Sequence, residues 1–273
     1  MTPVAAERSG DRERLLRQLG VATATLLLVA TTVAGVHVAT TGAAPKVVKV
    51  AAPPVVPTTL PPPSPTTVPP PQVSPTTATA APHGSIPTYA APGSAANGTV
   101  GIWYEYPLVL PVIGQQPGWL QVRVPERPNG KTAWVQSSDV TLSSTPYRIV
   151  VTLSTETLRV FKSGYQTLAF PAGIGLPATP TPPGHFFVTV QVPPPSPGYG
   201  PFVISTSGHS EAITSWEGMG DALIAIHGPI NSYADGRIGA TGTRISNGCI
   251  RLHDSDLAQL ATIPAGTPVD IVA

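Results

Sequence analysis

The sequence predicts a mainly β protein in which a small β barrel precedes a larger β sandwich or barrel with one short late helix. Apolar and polar residues alternate with the period of a strand in many short segments, separated by turns rich in Gly, Pro and Asn. Only one stretch, near the C-terminus, has apolar residues at helical spacing. Many strands with a single late helix are typical of sandwiches and barrels.

The N-terminus predicts a short cytoplasmic segment, residues 1–18, followed by a transmembrane anchor, residues 19–42. Its four arginines precede a stretch, 18–45, that contains no charged residue. A membrane-spanning helix needs roughly 20 apolar residues, whereas the core of a signal peptide has roughly 7 to 15. Because the arginines flank the N-terminal side, the rest of the chain should lie on the outer face of the cytoplasmic membrane. Cleavage near residues 41–44 is the alternative and would release a secreted protein.

Residues 43–87 predict an extended linker, since they are rich in Pro, Thr, Val, Ala and Ser and contain the runs Pro61–Pro63 and Pro69–Pro71. Proline fixes φ and removes the amide donor, which opposes both helix and sheet. A polyproline conformation extends about 3.1 Å per residue, so the tract would span on the order of 100 Å. We therefore predict a semi-rigid spacer between the membrane and the folded domains.

Composition argues against several classes of function. The net charge is +1 and basic residues cluster only at the N-terminus, which argues against nucleic-acid binding. The single cysteine excludes an internal disulfide and a zinc site built on paired thiolates. His185, His209 and His227 lack the spacing of a metal-binding motif, so neither a metal nor another cofactor is expected.

Residues 88–145 predict the first β domain. Its expected strands are Thr99–Trp103, Leu108–Ile113, Trp119–Val124 and Thr132–Val135. Asn129-Gly130 predicts a hairpin turn before the last of them. The segment resembles small bacterial SH3-like barrels, in which Gly-Trp-Leu and Ala-Trp-Val mark successive strands. This resemblance implies a module that contacts the cell wall or presents substrate; a packing domain without a ligand of its own is the alternative.

Residues 146–273 predict the second β domain. Its expected strands include Arg148–Leu153, Thr157–Phe161, Leu168–Gly173, Phe186–Val190 and Val269–Val272. The late helix should be capped by Asp254 or Ser255, carry apolar residues over 257–261 and end at Pro264.

The one cysteine, Cys249, follows a run of small polar residues and a glycine. A lone thiol is either a small buried hydrophobe or a reactive nucleophile. Its ordinary pKa is near 8.5, so a nucleophilic thiol needs a neighbouring base or imidazolium. His227 is the candidate base, because it ends the apolar strand Ala222–Ile226 and is followed by Gly228. A strand end that opens onto a loop commonly displays catalytic groups.

Three ordered motifs make residues 147–273 similar to the YkuD-type catalytic domain of the peptidoglycan L,D-transpeptidases. Gly173–Gly175 with Thr179–Phe186 resembles the Thr-Pro-x-Gly-x-Phe element of that family, and Ile226–Gly228 supplies its histidine motif. Ser246–Arg251 resembles the signature Ser-His-Gly-Cys-hydrophobic-Asn/Arg. The sequence is thus identified as a member of this family, and a catalytic domain of the sandwich or barrel type is expected.

The resemblance implies a cysteine acyltransferase that forms 3→3 cross-links between peptidoglycan stem peptides. Cys249 would attack the carbonyl after the third residue of a donor stem, form a thioester and release the terminal D-residue. The amine of a neighbouring stem would then resolve the acyl-enzyme. His227 would activate the thiol and protonate the leaving amine. Carbapenems are expected to acylate the same cysteine.

Further residues are predicted to complete the site. The backbone carbonyl of Gly228 would orient the base. Backbone amides at Asn247, Gly248 and Cys249 could form an oxyanion hole, in which one donor typically lowers the barrier by roughly 2.7 to 4 kcal/mol. Arg251 could bind a substrate carboxylate or pin the loop by hydrogen bonds, and both roles stay open.

Ser246 and His209 are also assigned to substrate binding, although His209, like His185, could equally be structural. The sequence departs from the family pattern at two places. Asn247 stands where relatives have histidine, and the loop over 227–246 is slightly longer than usual. Both departures bear on rate and substrate fit rather than on the class of reaction.

Three other functions fit parts of the sequence. The same catalytic residues acting on water would make an L,D-carboxypeptidase. A wall-binding protein without activity would use the first β domain, and Asn247 favours that reading. A secreted Cys–His peptidase of another fold would cleave protein substrates, against which the Thr-Pro-rich loop and the β pattern argue.

Overall fold

The computed structural model describes residues 72–216, 221–240 and 242–273, which all fall within one compact unit. The predicted anchor, residues 19–42, and most of the predicted linker lie outside the described residues. Within the described ranges, no helix is long and apolar enough to cross a membrane. Strands dominate the described chain, which confirms the prediction of a mainly β protein.

The first β domain is built from short strands, which in chain order are β1 (Thr77–Pro82), β2 (Ile86–Tyr89), β3 (Ala96–Val100), β4 (Ile102–Trp103), β5 (Tyr106–Pro107), β6 (Leu110–Gln116), β7 (Trp119–Arg123), β8 (Thr132–Gln136) and β9 (Val140–Thr145). Seven of these form an antiparallel sheet in the order β3-β2-β8-β7-β6-β1-β9, while β4 and β5 form a separate hairpin. A 3₁₀ turn, Ser137–Asp139, precedes β9. Three of the four strands predicted between residues 99 and 135 are present with shifted ends, as β6, β7 and β8, whereas the predicted strand Thr99–Trp103 is divided at Gly101 between β3 and β4.

This domain begins earlier than predicted, because β1 and part of β2 lie in the stretch 43–87 that was expected to be linker. β1 pairs with both β6 and β9. Its sequence is made of Thr and Ala, and its one proline, Pro82, stands at its last position. A predicted boundary at residue 88 is therefore too late. The chain forms sheet where the density of prolines, which lack the amide donor, falls.

Strand β7 shows how far alternation alone predicts burial. Leu120 and Val122 are buried, and the three side chains that alternate with them are half-exposed. The connection from β7 to β8 contains Asn129-Gly130, and Gly130 has φ 82°, as expected for this turn.

The β4–β5 hairpin leaves the sheet at the end of β3. Gly101 lies between β3 and β4 with φ 141°, and a Cβ at this position would lie 1.8 Å from the carbonyl oxygen of Gly84. Only glycine fits there without a shift of the backbone. Trp103 pairs with Tyr106 across the hairpin, and Tyr104 in the turn has φ 55°. The direction of the hairpin is therefore set by its own backbone.

The second β domain contains the strands β10 (Tyr147–Thr152), β11 (Thr157–Lys162), β12 (Tyr165–Pro171), β13 (Ile174–Gly175), β14 (Gly184–Val192), β15 (Val203–His209), β16 (Leu223–His227), β17 (Arg244–Ser246), β18 (Ile250–Arg251) and β19 (Pro268–Val272). Eight of these form a sheet in the order β12-β11-β10-β19-β14-β15-β16-β18. Its pairs are antiparallel except β10–β19 and β16–β18. β13 and β17 form a short parallel pair, and a bridge between Gly173 and Arg251 joins it to β18.

The predicted late helix is present as α2, residues Asp254–Ala258, after a shorter helix, α1, residues Ser232–Asp235. The N-cap of α2 is His253, not Asp254 or Ser255, because His253 is the last residue with extended backbone angles. The α-helix stops well before Pro264, and turns follow it. Leu257, Leu260 and Ile263 carry this segment into the core of the second domain.

The two β domains share side chains. Consecutive residues of a strand point to opposite faces, and on β14 Phe186 joins the core of the second domain while Phe187 joins the core of the first. Arg148 of β10 donates hydrogen bonds to Asp270 of β19 and to Thr77 of β1. The first domain is therefore packed directly against the second.

Candidate active site

Cys249 and His227 come from adjacent strands. β16 and β18 pair in parallel, with Ile226 opposite Ile250 and His227 opposite Arg251. Residues opposite each other on paired strands share a face, and so do residues two apart on one strand. His227 and Arg251 therefore share a face at the end of the sheet, and Cys249, which precedes β18, packs against Leu223 and Ala225, the residues that alternate with His227 on β16. The topology thus places the thiol on the face of β16 that carries the imidazole.

The imidazole of His227 is oriented and buried. Its Nδ1 lies 2.7 Å from the carbonyl oxygen of Gly228, so Nδ1 carries the proton and donates, and Nε2 keeps a free lone pair. The ring contacts the ring of Tyr199 at a centroid distance of 4.7 Å. Burial and the charge of Arg251 lower the pKa of His227 to about 3, although the hydrogen bond to Gly228 acts to raise it. The imidazole is therefore a neutral base at neutral pH.

Gly228 is held by its own close packing. Its amide donates to the carbonyl oxygen of Tyr199 at 2.8 Å. A Cβ on Gly228 would lie 2.5 Å from Oδ1 of Asp254 and 2.7 Å from the amide nitrogen of Gly200. No other residue fits here without displacing backbone. The carbonyl that orients His227 is thus fixed in place, in agreement with the role that the family resemblance implies for it.

The thiol of Cys249 is partly exposed, and its Sγ lies 3.8 Å from the carbonyl oxygen of Leu223. The surrounding protein raises the pKa of the thiol by desolvation, while a backbone hydrogen bond from Ala225 and the charge of Arg251 act in the opposite direction. The resting pair is therefore a neutral thiol beside a neutral imidazole. This arrangement suits general-base attack, in which the proton leaves sulfur as the new bond forms.

Ser246, predicted to bind substrate, instead holds the nucleophile loop. It is 2% exposed. Its Oγ accepts from the amide of Gly248 at 3.2 Å and donates to the carbonyl oxygen of Cys249 at 2.6 Å. The Gly248 amide is consequently engaged inside the loop, which corrects its predicted place in an oxyanion hole. The amides of Asn247 and Cys249 are the remaining candidates for that role.

Ser246→Ala is expected to remove both hydrogen bonds of this hydroxyl. We expect a loss of about 1 to 3 kcal/mol in the free energy of unfolding, because two polar backbone groups lose their partner. Acylation of Cys249 should slow by about tenfold as the loop loosens. Chemical denaturation and intact-mass kinetics measure the two effects. Ser143→Ala, at an exposed serine of β9, is the matched control; equal behaviour of the two variants would contradict the assignment.

Two threonines that the sequence singled out only as part of a motif also hold the loop. Thr181 is 2% exposed. Its hydroxyl donates to the carbonyl oxygen of Gly248 at 2.8 Å and accepts from the amide of Gly175 at 2.9 Å. Thr179 donates to Oδ1 of Asn247 at 3.3 Å. The Gly173–Phe186 element therefore supports the turn in which Gly248 adopts φ 116°.

Of the two roles left open for Arg251, the structure shows the pinning of the loop by hydrogen bonds, and binding of a substrate carboxylate stays a prediction. Its main chain, rather than its guanidinium, pins the loop, since its amide and carbonyl exchange two 2.8 Å hydrogen bonds with Gly173. The positive charge of its side chain lowers the pKa of both Cys249 and His227. Arg251 Nε is buried without a hydrogen-bond partner among the described residues. The guanidinium thus favours a developing thiolate and disfavours premature protonation of the base.

His209 does not line an open substrate pocket; it lies between the two domains. It is 2% exposed, and its Nδ1 lies 2.8 Å from Oδ2 of Asp221. The side chain of Asn129 accepts from the amide of His209 at 2.9 Å and donates to its carbonyl at 2.8 Å. Arg127 donates to Oδ1 of Asp221 through Nε at 2.9 Å and Nη2 at 2.7 Å. The sequence holds no local signal for this network, because its members are far apart in the chain.

Asp221→Asn is expected to destabilise the protein by about 2 kcal/mol at pH 7. Burial opposes ionisation of Asp221, but hydrogen bonds and charge from His209, and then the hydrogen bond from Arg127, outweigh it and lower its pKa from 3.8 to about 2. A lowered carboxyl pKa stabilises the fold above pH 3.8, and this contribution disappears as the pH falls towards 2. Denaturation at several pH values measures it. A difference between wild type and variant that persisted at pH 2 would contradict the prediction.

His185, the third histidine considered for the site, lies elsewhere. Its Nδ1 is 2.6 Å from Oδ1 of Asp270, its partner across β14 and β19. The side chain is 64% exposed and lies with Arg123 and Arg148 beside a cavity of about 350 Å³. It is therefore a surface group. In the described part of the chain, no cluster of three or more His, Cys, Asp or Glu side chains could hold a metal ion.

Comparison with known proteins matches the second domain. A family model described as the L,D-transpeptidase catalytic domain, YkuD, covers residues 146–271, so it does not extend over the first β domain. A Bacillus licheniformis protein provisionally named L,D-transpeptidase YkuD is 32% identical over 127 residues, which are 46% of this chain and 66% of the relative. The protein of that name from Bacillus subtilis is 28% identical over the same shares. The chain thus matches just under two thirds of the length of these relatives.

A solved L,D-transpeptidase structure from Mycobacterium smegmatis is 17% identical, with 60% of this chain and 90% of that chain aligned at a TM-score of 0.37.

Proposed function

Since residues 146–271 belong to the L,D-transpeptidase catalytic domain family, we propose that the chain is a peptidoglycan L,D-transpeptidase that forms 3→3 cross-links through an acyl-enzyme on Cys249. The observation that carries the proposal is the orientation of His227. Its Nδ1 is committed to the Gly228 carbonyl at 2.7 Å, which leaves Nε2 as the basic atom on the face that carries Cys249.

In the acylation step, the sulfur of Cys249 attacks the carbonyl carbon after the third residue of the donor stem. The thiol proton passes to Nε2 of His227, and the carbonyl oxygen becomes an oxyanion. Collapse of this intermediate breaks the amide bond, and the departing nitrogen takes the proton from Nε2. The products are a thioester and the free terminal D-residue.

In the second step, the amine of an acceptor stem attacks the thioester carbonyl. Nε2 of His227 takes the proton of the attacking amine, the carbon–sulfur bond breaks, and the thiolate regains that proton. A new amide bond replaces the one that was broken, so no energy source beyond the donor is needed. The charge of Arg251 supports the departing thiolate, since it acts to lower the pKa of Cys249 against the larger, opposite effect of desolvation.

The substrate and the location of the protein follow from the same proposal. Peptidoglycan stems lie outside the cytoplasmic membrane, where the predicted anchor at residues 19–42 and the linker that precedes β1 would place the folded domains. A thiol that accepts an acyl group from an amide should also accept one from the strained lactam of a carbapenem. The first β domain would then stand between membrane and catalytic domain, and its SH3-like character stays a prediction.

The test is incubation of the full chain with a disaccharide tetrapeptide, followed by mass spectrometry. We expect a cross-linked dimer that has lost one terminal D-residue. Accumulation of the tripeptide alone would make the protein an L,D-carboxypeptidase. Unchanged tetrapeptide in the presence of folded protein would refute an enzymatic function and favour the wall-binding alternative.

A further inference from the structure

Three aromatic side chains of the first β domain pack at the thiol site of the second. A small buried cluster, formed by Val192, Tyr199, Val203, Leu223 and Ala225, lies beneath the site. Cys249 packs against this cluster, and so do Trp103, Tyr104 and Tyr106 of the β4–β5 hairpin. The cluster is therefore bounded by the nucleophile of one domain and by an aromatic surface from the other.

A short chain of contacts joins the hairpin to the sulfur. The ring of Trp103 meets the ring of His209 edge-on, with 6.2 Å between centroids. His209 of β15 lies opposite Leu223 of β16 in the sheet register. The carbonyl oxygen of Leu223 is the atom 3.8 Å from Sγ of Cys249. Two residues thus separate the indole from the nucleophile.

The aromatic surface of the hairpin is open to a ligand. Trp103, Tyr104 and Tyr106 are half-exposed, although each packs against the cluster with part of its ring. Nε1 of Trp103 is shielded from water and has no hydrogen-bond partner among the described residues. A buried indole N–H usually finds an acceptor. A peptide carbonyl lying along the hairpin would supply one.

The hairpin is held firmly enough to act as a wall. Its exit from the sheet is set by Gly101, where any side chain would collide with backbone. The first domain is tied to the segment that carries His209 through Asn129, and through Arg127 to Asp221. In the second domain, the two residues that receive these contacts, His209 and Asp221, are 12 positions apart in the sequence. These contacts oppose any swing of the hairpin away from the thiol.

We propose that the aromatic face of the β4–β5 hairpin, formed by Trp103 and Tyr106, is a subsite for the extended stem peptide of the donor. The rings of Trp103 and Tyr106 would stack on the peptide planes and aliphatic side chains, and Nε1 of Trp103 would donate to a backbone carbonyl. The subsite rests on the proposed function, because it names the substrate of the same thiol. The first domain is then part of the substrate-binding site rather than a separate wall-binding module.

The experiment measures binding of a disaccharide tetrapeptide to the full chain carrying Cys249→Ala, which cannot turn the ligand over. Into this background we introduce Trp103→Ala, Trp103→Phe and, as control, Ile102→Ala. Ile102 is 50% exposed and neighbours Trp103 on the same strand, with its side chain on the opposite face. Thermal unfolding checks that every variant keeps its fold, and Trp103→Phe preserves the ring if the alanine variant does not.

We expect Trp103→Ala to weaken binding about tenfold, since both stacking and a hydrogen bond are lost. Trp103→Phe should weaken it about threefold, because the N–H is lost while a smaller aromatic ring can still stack. Ile102→Ala should bind like its parent. The subsite is refuted if the parent binds no peptide, if folded Trp103 variants bind as the parent does, or if Ile102→Ala loses as much affinity.

Turnover by wild type separates this inference from the proposed function. Wild-type cross-linking together with binding that does not depend on Trp103 refutes the subsite alone. Binding that depends on Trp103 in a protein that produces neither dimer nor tripeptide refutes the enzymatic function and leaves the hairpin as a stem-peptide site.

Discussion

Cys249→Ala is expected to abolish acylation. Loss of the attacking atom typically lowers the rate of acyl transfer by at least about 10³-fold, because the remaining groups act only through it. Wild type incubated with a carbapenem should gain the mass of one inhibitor molecule, and Cys249→Ala should gain none. Cross-linking of a disaccharide tetrapeptide should disappear in the same variant.

Cys249 is the only cysteine of the chain, so it is the one thiol on which the adduct can form. The fold should survive the substitution, since the side chain is partly exposed and small. Circular dichroism and thermal unfolding provide this control. An adduct of equal yield on Cys249→Ala would move the nucleophile to another side chain and refute the mechanism.

His227→Ala is expected to slow acylation by about 10² to 10⁴-fold, the usual contribution of a general base. The thiol cannot replace it by ionising on its own, because the surrounding protein raises the pKa of Cys249 above its ordinary value. Stopped reactions analysed by intact mass give the rate. Measurement well below the melting temperature keeps a loss of stability, caused by the missing ring against Tyr199, apart from the chemical effect.

His185→Ala is the matched control for this variant. It also removes a histidine, but from an exposed ion pair with Asp270. We expect its acylation rate to stay within about twofold of wild type, as for most surface substitutions. If the two histidine variants were equally slow, or if His227→Ala lost activity only in proportion to folded protein, His227 would be structural.

The same pair predicts an unusual pH profile. The base acts while it is neutral, and the pKa of His227 is lowered from 6.5 to about 3. Acylation should therefore stay constant from neutral pH down to about pH 4 and decline only below it. A preformed thiolate–imidazolium pair would require the pKa of Cys249 to lie below that of His227. A decline centred near pH 6.5 would contradict the neutral pair.

The fold could be predicted where strands alternate and turns carry a local signal. β7 and the Asn129-Gly130 connection are examples, since burial of every second residue follows from the pleat. β15 was missed: all seven of its residues are buried, yet most are small or polar, so alternation is absent. β1 was missed because the prolines around it suggested a linker. Each of the two strands pairs with a neighbour on both sides: β1 with β6 and β9, and β15 with β14 and β16.

By itself, the sequence determined which groups are the candidates for the proposed chemistry. Cys249, His227 and Gly228 stand in local motifs, and neighbouring residues on a strand or loop set what each can display. Tertiary structure alone decided how these groups are charged and covered. Burial gives the thiol and imidazole their neutral forms, and it is supplied by strands distant in the chain. His209 lies in an interface with Asn129, about 80 residues earlier, and Arg127 reaches it through Asp221. Contacts between residues so far apart in the chain leave no local pattern in the sequence.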